Sequence, residues 1–123
     1  MEISFDPQGG YWDASRGRVH FLAYVDGRLK PCWVVPPALE DLVEVPVDAP
    51  ELDGIAYVMI FERCRESIQN VAAAKFRCGQ IEDGGVVLHT DDMEHEHGKH
   101  GTFVKTVDGY WVDAVSGRRN DAA

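Results

Sequence analysis

The clearest pattern in the chain is a pair of apolar runs, RVHFLAYV and RLKPCWVV, at residues 18–25 and 28–35. Both runs are rich in β-branched and aromatic residues, and only Asp26-Gly27 separates them, which favours a two-residue turn between two strands. The pattern therefore predicts an antiparallel hairpin over residues 18–35. Counting outward from the turn pairs His20 with Trp33 and Phe21 with Cys32.

This register sends alternate side chains of the hairpin to two different faces of the sheet. One face is apolar and is predicted to face the core: Val19, Phe21, Ala23, Val25, Cys32 and Val34. The other face combines apolar and aromatic residues that have polar atoms: His20, Leu22, Tyr24, Leu29, Pro31 and Trp33. We expect this second face to be covered, either by another part of the chain or by a protein partner.

Helical periodicity follows the hairpin. Pro36-Pro37 favours a helix start, and ALEDLVE predicts a short helix near residues 38–44. From Asp53, a suitable N-cap residue, to Gly79, a suitable C-cap residue, no proline interrupts the chain. We predict one long helix near 54–78, whose core stripe recurs at steps of three and four: Val58, Phe61, Cys64, Ile68, Val71 and Ala72.

Three further segments have strand character. YWDASRG predicts a strand before the hairpin, and VVLHT predicts a returning strand at residues 86–90, which includes His89. TFVKTV and YWVDAV flank Asp108-Gly109 and predict a C-terminal hairpin over 102–115 with a two-residue turn. Together these elements predict a single α+β domain.

This order of segments resembles a small bacterial family known as domain of unknown function number 1488. The matching pieces are ISF near the start, W-D-A-x-R-G-x-V-x-F at 12–21, VDGR at 25–28, ALEDL at 38–42, VVLHTDD at 86–92, and the single residues Cys32, Phe61, Arg65, Ile68, Ala72, Lys75, Phe76 and Gly79. The resemblance implies a compact α+β domain of the bacterial cytoplasm over residues 1–93. It implies no activity, cofactor or catalytic residue. Residues 94–123 would then be an extension consisting of an acidic, histidine-rich loop, a hairpin and a frayed tail.

Composition excludes some partners. The net charge is −9, from 12 basic and 21 acidic residues, which disfavours binding to nucleic acid or to an anionic membrane surface. No window is apolar enough for a membrane span, so we expect a soluble cytoplasmic protein. Cys32, Cys64 and Cys78 fit no C-x-x-C spacing, and if Cys64 and Cys78 share a helix they lie about 21 Å apart, too far for a disulfide. We expect reduced thiols, most of them buried.

The segment HTDDMEHEHGKH, residues 89–100, concentrates histidines among acidic side chains. His95, His97 and His100, with Glu94 as an oxygen donor, are candidate ligands for a divalent metal such as zinc or nickel. The spacing matches neither the zincin motif nor the deaminase motif. A solvated acidic loop that binds metal weakly is the simpler interpretation. A further alternative is pH sensing, because acidic neighbours favour protonated imidazoles as the pH falls toward 6.

Nucleophilic catalysis has little support in the sequence. Cys32 and His20 lie on adjacent strands but on opposite faces, so they should not share a proton. No phosphate-binding glycine loop or nucleophile-elbow motif occurs. An enzyme of unknown reaction therefore stays a second alternative. We expect a non-enzymatic interaction protein with no cofactor, which binds a protein partner or itself through His20, Leu22, Tyr24 and Trp33, with Trp12 as a further candidate.

Overall fold

A five-stranded sheet forms the centre of the protein. The computed structural model describes residues 1–45, 51–105 and 111–113. The five strands are β1 (Ile3–Phe5), β2 (Tyr11–Asp13), β3 (Arg18–Val25), β4 (Arg28–Val34) and β5 (Val86–Leu88). β1 and β2 both pair with β3, which pairs with β4, and β4 pairs with β5. The mixture of this sheet with helices confirms the predicted α+β class.

The register of the central hairpin is confirmed. His20 pairs with Trp33, Phe21 with Cys32 and Val25 with Arg28 in an antiparallel ladder. Asp26 and Gly27 both have positive φ, at 51° and 79°. Positive φ at both central residues defines a type I′ turn, which matches the twist of the two strands and which Asp-Gly favours.

Three α-helices cover one face of the sheet: α1 (Pro36–Leu42), α2 (Gly54–Arg63) and α3 (Arg65–Arg77). The predicted core face of the hairpin and the inner residues of β5 share one buried cluster with these helices. Phe21 and Phe61 are in contact there, with ring centroids 5.0 Å apart. β5 runs parallel to β4, which requires a long crossover such as these helices provide.

The prediction of one long helix is wrong at its middle. Helix α2 ends at Arg63, and Cys64 adopts φ −109° and ψ 15° before α3 begins at Arg65. The Cys64 N–H bonds to the carbonyls of both Ile60 and Phe61. The break separates a helix that packs on α1, β2 and β3 from one that packs on β5. The apolar stripe continues through Cys64, so its periodicity could not reveal the break.

Helix α1 begins at Pro36, two residues earlier than predicted, because a proline in the first turn needs no hydrogen-bonded N–H. The other end of α1 is satisfied from a distant part of the chain. The Gly98 N–H donates to the Asp41 carbonyl and the His100 N–H to the Leu42 carbonyl. These bonds occupy carbonyls that a helix end leaves without intrahelical partners.

The C-terminal hairpin exists and packs on the domain. Strands β6 (Phe103–Lys105) and β7 (Trp111–Asp113) are antiparallel, and Phe103 and Trp111 belong to the same buried cluster as the helices. Lys105 pairs with Trp111, whereas a two-residue turn at Asp108-Gly109 would pair it with Val112. The predicted register is thus wrong by one residue. The turn itself and residues 114–115 lie outside the described residues.

The free edge of β5 is tied to α3 by Lys75. The Nζ of Lys75 donates to the Val87 carbonyl at 2.8 Å and to Asp92 Oδ2 at 2.8 Å. A lysine at this position occupies an edge carbonyl that could otherwise pair with another strand.

We therefore expect Lys75→Met to lower the free energy of unfolding by about 1–3 kcal/mol, because it leaves the Val87 carbonyl without its side-chain donor and removes the cation that pairs with Asp92. Urea unfolding followed by circular dichroism measures the change. Arg77→Met is the matched control, since Arg77 is exposed in the last turn of the same helix. Equal losses in the two variants would contradict a specific role for Lys75.

Candidate functional site

The histidine-rich segment is ordered by a buried methionine. Residues Thr90–Glu96 form a 3₁₀ helix rather than the expected irregular loop, and Met93 within it is fully buried in the main cluster. His89 was predicted within a strand over residues 86–90, but β5 ends at Leu88, one residue before it. The His89 N–H donates to Asp92 Oδ2 at 2.8 Å. The sequence gives no sign that Met93 is a core residue, because the residues around it are almost all polar.

The predicted metal ligands point to different neighbours. His97 Nδ1 lies 3.7 Å from Asp41 Oδ1 on α1, whereas His100 Nε2 lies 3.0 Å from Glu96 Oε2. Glu94 and His95 are exposed. Within residues 1–45, 51–105 and 111–113, no group of three or more His, Cys, Asp or Glu side chains is placed to hold a metal ion. Metal binding by His95, His97, His100 and Glu94 stays a prediction.

Ser67 of α3 meets this segment in a small polar cluster. Its Oγ lies 3.2 Å from His100 Nε2 and 3.4 Å from Glu96 Oε2. A hydrolytic triad needs the carboxylate on one imidazole nitrogen and the hydroxyl on the other. Here Glu96 and Ser67 both face Nε2, so a carboxylate that accepts the Nε2 proton leaves no base for the serine. The cluster ties the 3₁₀ helix to α3.

Beside this cluster, an open groove of about 390 Å³ lies between α3 and the 3₁₀ helix. We call it the polar groove, and its polar lining residues are Ser67, Asn70, Lys75, Gln80, Asp92 and Glu96. Burial acts to raise the pKa of Asp92, but hydrogen bonds from the His89 backbone and from Lys75, with the charge of Lys75, together lower it. The pKa of Glu96 is lowered chiefly by its hydrogen bond with His100. Both side chains are therefore carboxylates at neutral pH.

Cys32 is not placed to act as a nucleophile with His20. Burial raises the pKa of the Cys32 thiol to about 12, which keeps it protonated. Cys32 and His20 lie on opposite faces, as the hairpin register requires. Cys64 is buried, Cys78 is exposed and lines the polar groove, and none of the three thiols is in a disulfide.

The second candidate site is the sheet face away from the helices, which we call the outer face. His20 and Trp33 on it are 9% and 5% exposed. The His20 ring lies 4.9 Å from the Tyr11 ring and 5.0 Å from the Trp33 ring. Arg16 lies over the Trp33 ring at 4.7 Å, and Trp33 Nε1 donates to Asp13 Oδ2 at 3.2 Å. The β2–β3 segment thus covers the two residues.

The outer face also includes Val87, which pairs with Trp33 and is fully buried, but its part toward β1 and the Asp26-Gly27 turn is open to solvent. Tyr11, Leu29 and Tyr24 are 55%, 54% and 38% exposed, and Leu22 and Pro31 are half-buried. Of the four residues predicted for partner binding, Leu22 and Tyr24 reach this open area, while His20 and Trp33 lie beneath its edge. Tyr11 was missed, although its pairing with His20 places it on this face. Trp12 lies on the opposite face, where it stacks on Tyr57 at 5.5 Å.

Comparison with known proteins bears on the family and the fold. The profile of a family described as "Protein of unknown function (DUF1488)" matches residues 3–88. The chain belongs to this family. Its fold is similar to the crystal structure of a DUF1488 protein of unknown function from Shewanella loihica PV-4. The TM-score is 0.59 at 22% identity over 72% of this chain and 94% of the other. No match was found among curated proteins.

The DUF1488 match ends at β5, so it includes the outer face and α3 but not the histidine-rich segment. The polar groove is thus lined partly by residues within the match and partly by residues beyond it. None of the helices in the described part of the chain has the length and apolarity needed to cross a membrane.

Zinc should bind weakly, because the predicted ligands would have to leave separate neighbours to converge on one ion. We expect fast-exchange shifts, without saturation at one equivalent, in a two-dimensional NMR titration of the metal-free protein. A His95/His97/His100 alanine variant is measured alongside. Slow-exchange shifts that saturate at one equivalent, that are confined to residues 89–101 and that the variant lacks would show a specific metal site instead.

His20 should make stability fall as the pH drops below about 6.5. Burial lowers the pKa of His20 from its usual 6.5, and Arg16 lowers it further although Asp13 opposes this. Between the lowered pKa and 6.5 the unfolded chain binds more protons than the folded chain, so the free energy of unfolding decreases with falling pH. Asp13 and Glu96 also have lowered pKa values, but their ordinary values are 3.8 and 4.5, so they change stability only at lower pH.

The measurement is the urea midpoint between pH 7.5 and 5 for the wild type and for His20→Gln, with His95→Gln as the exposed control. The urea midpoint should depend less on pH in His20→Gln than in the wild type, and His95→Gln should behave like the wild type. An unchanged slope in His20→Gln would show that another group causes the pH dependence.

Proposed function

We propose that this DUF1488 protein is a non-enzymatic interaction protein that self-associates through the open part of the outer face. The observation that carries the proposal is an exposed apolar patch formed by Tyr11, Leu22, Tyr24, Leu29 and Pro31. Aromatic residues with a polar tip are common anchors of protein interfaces. His20 and Trp33 support the patch from beneath, so Tyr11 is presented on a packed base.

Charge limits which surface could bind a second copy. The chain has a net charge of −9, so two copies repel each other over most of their surfaces. The patch itself is uncharged. At its edge, Arg16 and Arg18 each lie 3.5 Å from Asp83, which leaves these charges paired. Two copies that approach with these patches together therefore bring no charged side chain of the patch against another.

The edges of the sheet are less suited to association than its face. Lys75 occupies a carbonyl on the β5 side. On the other side, β1 and β2 are three-residue strands, too short to offer a long pairing edge. A face-to-face contact is therefore the arrangement that we propose. Three cysteines without a disulfide fit action in a reducing compartment such as the bacterial cytoplasm.

Leu29→Glu tests the proposal. In a two-fold dimer each interface would receive this new charge twice, so we expect the dissociation constant to rise about tenfold or more. Sedimentation equilibrium over micromolar to millimolar protein concentrations measures it for both wild type and variant. Ile55→Glu is the control, because Ile55 is similarly exposed but lies on α2, on the other side of the sheet.

A wild-type dimer that Leu29→Glu weakens and Ile55→Glu leaves intact would support the proposal. A wild-type protein that remains monomeric throughout, or a dimer that both variants weaken equally, would contradict it.

A further inference from the structure

The polar groove has the size and the chemistry of a small-molecule site. Its volume of about 390 Å³ lies in the lower part of the range for ligand pockets. Val71 and Ala74 on α3 provide an apolar wall. Around this wall stand hydroxyl, amide, ammonium and carboxylate groups from α3, from the segment after it and from the 3₁₀ helix. Convergent polar groups on a partly apolar wall are typical of ligand sites.

Some of these polar groups are already engaged within the protein. Lys75 donates to Val87 and Asp92, which fixes its position and neutralises Asp92. Glu96 uses Oε2 for Ser67 and His100. These contacts hold both carboxylates in place before any ligand arrives, which lowers the entropy cost of binding.

Other polar atoms in the groove are open to a ligand. In the described part of the chain, the side-chain amides of Asn70 and Gln80 make no hydrogen bond, and neither does the second carboxylate oxygen of Asp92 or of Glu96. Most of these atoms are acceptor oxygens, so a matching ligand must mainly supply hydrogen-bond donors.

The charge of the groove favours a positively charged ligand. Lys75 offsets Asp92 at 2.8 Å. Lys99 Nζ lies 4.0 Å from Glu96 Oε1, but its side chain is 60% exposed, so this ion pair is weak and screened by water, and a ligand ammonium could displace it. The net charge of −9 adds an attractive field for cations. An ammonium group beside Glu96 would therefore be favoured over an anion.

We propose that the polar groove binds a small primary amine that also carries hydroxyl groups. The ammonium group lies at Glu96, the hydroxyl groups donate to the amide oxygens of Asn70 and Gln80, and the carbon skeleton contacts Val71 and Ala74. This site is separate from the outer face, and its existence does not depend on self-association.

Glucosamine is the probe for this class, and glucose, which lacks the ammonium group, is its neutral counterpart. In a two-dimensional NMR titration, glucosamine should shift the amide signals of residues 67–80 and 92–96. These shifts should saturate with a millimolar dissociation constant. Glucose should bind at least tenfold more weakly. Glu96→Gln should weaken glucosamine binding about tenfold, the effect of losing one charge-assisted hydrogen bond.

Because Glu96→Gln also alters the contacts of Ser67 and His100, Asn70→Ala provides a second variant. Asn70 is exposed on α3, and alanine favours the helix, so the fold should be retained. It should weaken glucosamine binding severalfold. Glu66→Gln, an exposed acid in the first turn of α3 that does not line the groove, should have no effect.

Absence of saturable glucosamine shifts in the groove would overturn the proposal. Equal binding of glucose and glucosamine would overturn the assignment of a cationic ligand. Binding that both Asn70→Ala and Glu96→Gln leave unchanged would place the probe elsewhere and would also overturn it.

Discussion

The type I′ turn at Asp26-Gly27 sets the register of β3 against β4, and the rest of the structure depends on this register. A shift of β4 by one residue against β3 would move Cys32 and Val34 to the outer face and would bring Trp33 into the core. With the observed register, the helices pack on a continuous apolar face, and the opposite face keeps aromatic residues with polar atoms. The outer face is one face of this hairpin, and the polar groove is lined by α3, which packs on β5 beside β4.

The second level of organisation is a set of polar contacts that attach the histidine-rich segment to the domain. Met93 supplies the apolar contact, and Lys75 and Ser67 of α3 meet Asp92 and Glu96 of the 3₁₀ helix. The backbone beyond the 3₁₀ helix then caps the end of α1. A segment that resembles a solvated acidic loop in the sequence is thus part of the fold. Its carboxylates are held in place by these contacts.

The outer face and the polar groove suggest complementary roles. The outer face is uncharged and apolar in its open part, which suits a protein contact. The groove is polar and acidic, which suits a small cationic molecule. They lie on different layers of the protein, since the groove is formed by α3 and the 3₁₀ helix, and α3 packs against β5. An interaction protein that also binds a small molecule could thus use the two surfaces independently.

The sequence by itself determined the central hairpin, its register, its two faces and the α+β class, because a two-residue turn and a period of two act over neighbouring residues. It also indicated α1, most of the core stripe of α2 and α3, and the existence of the C-terminal hairpin. Only the tertiary structure decided the break at Cys64, where α2 and α3 follow different partners although their apolar stripe is continuous. It likewise decided that Trp33 is covered by Arg16 and that Met93 anchors an acidic segment. The polar groove brings together residues such as Ser67 and Glu96, far apart in the chain, and such proximity depends on packing that local periodicity does not contain.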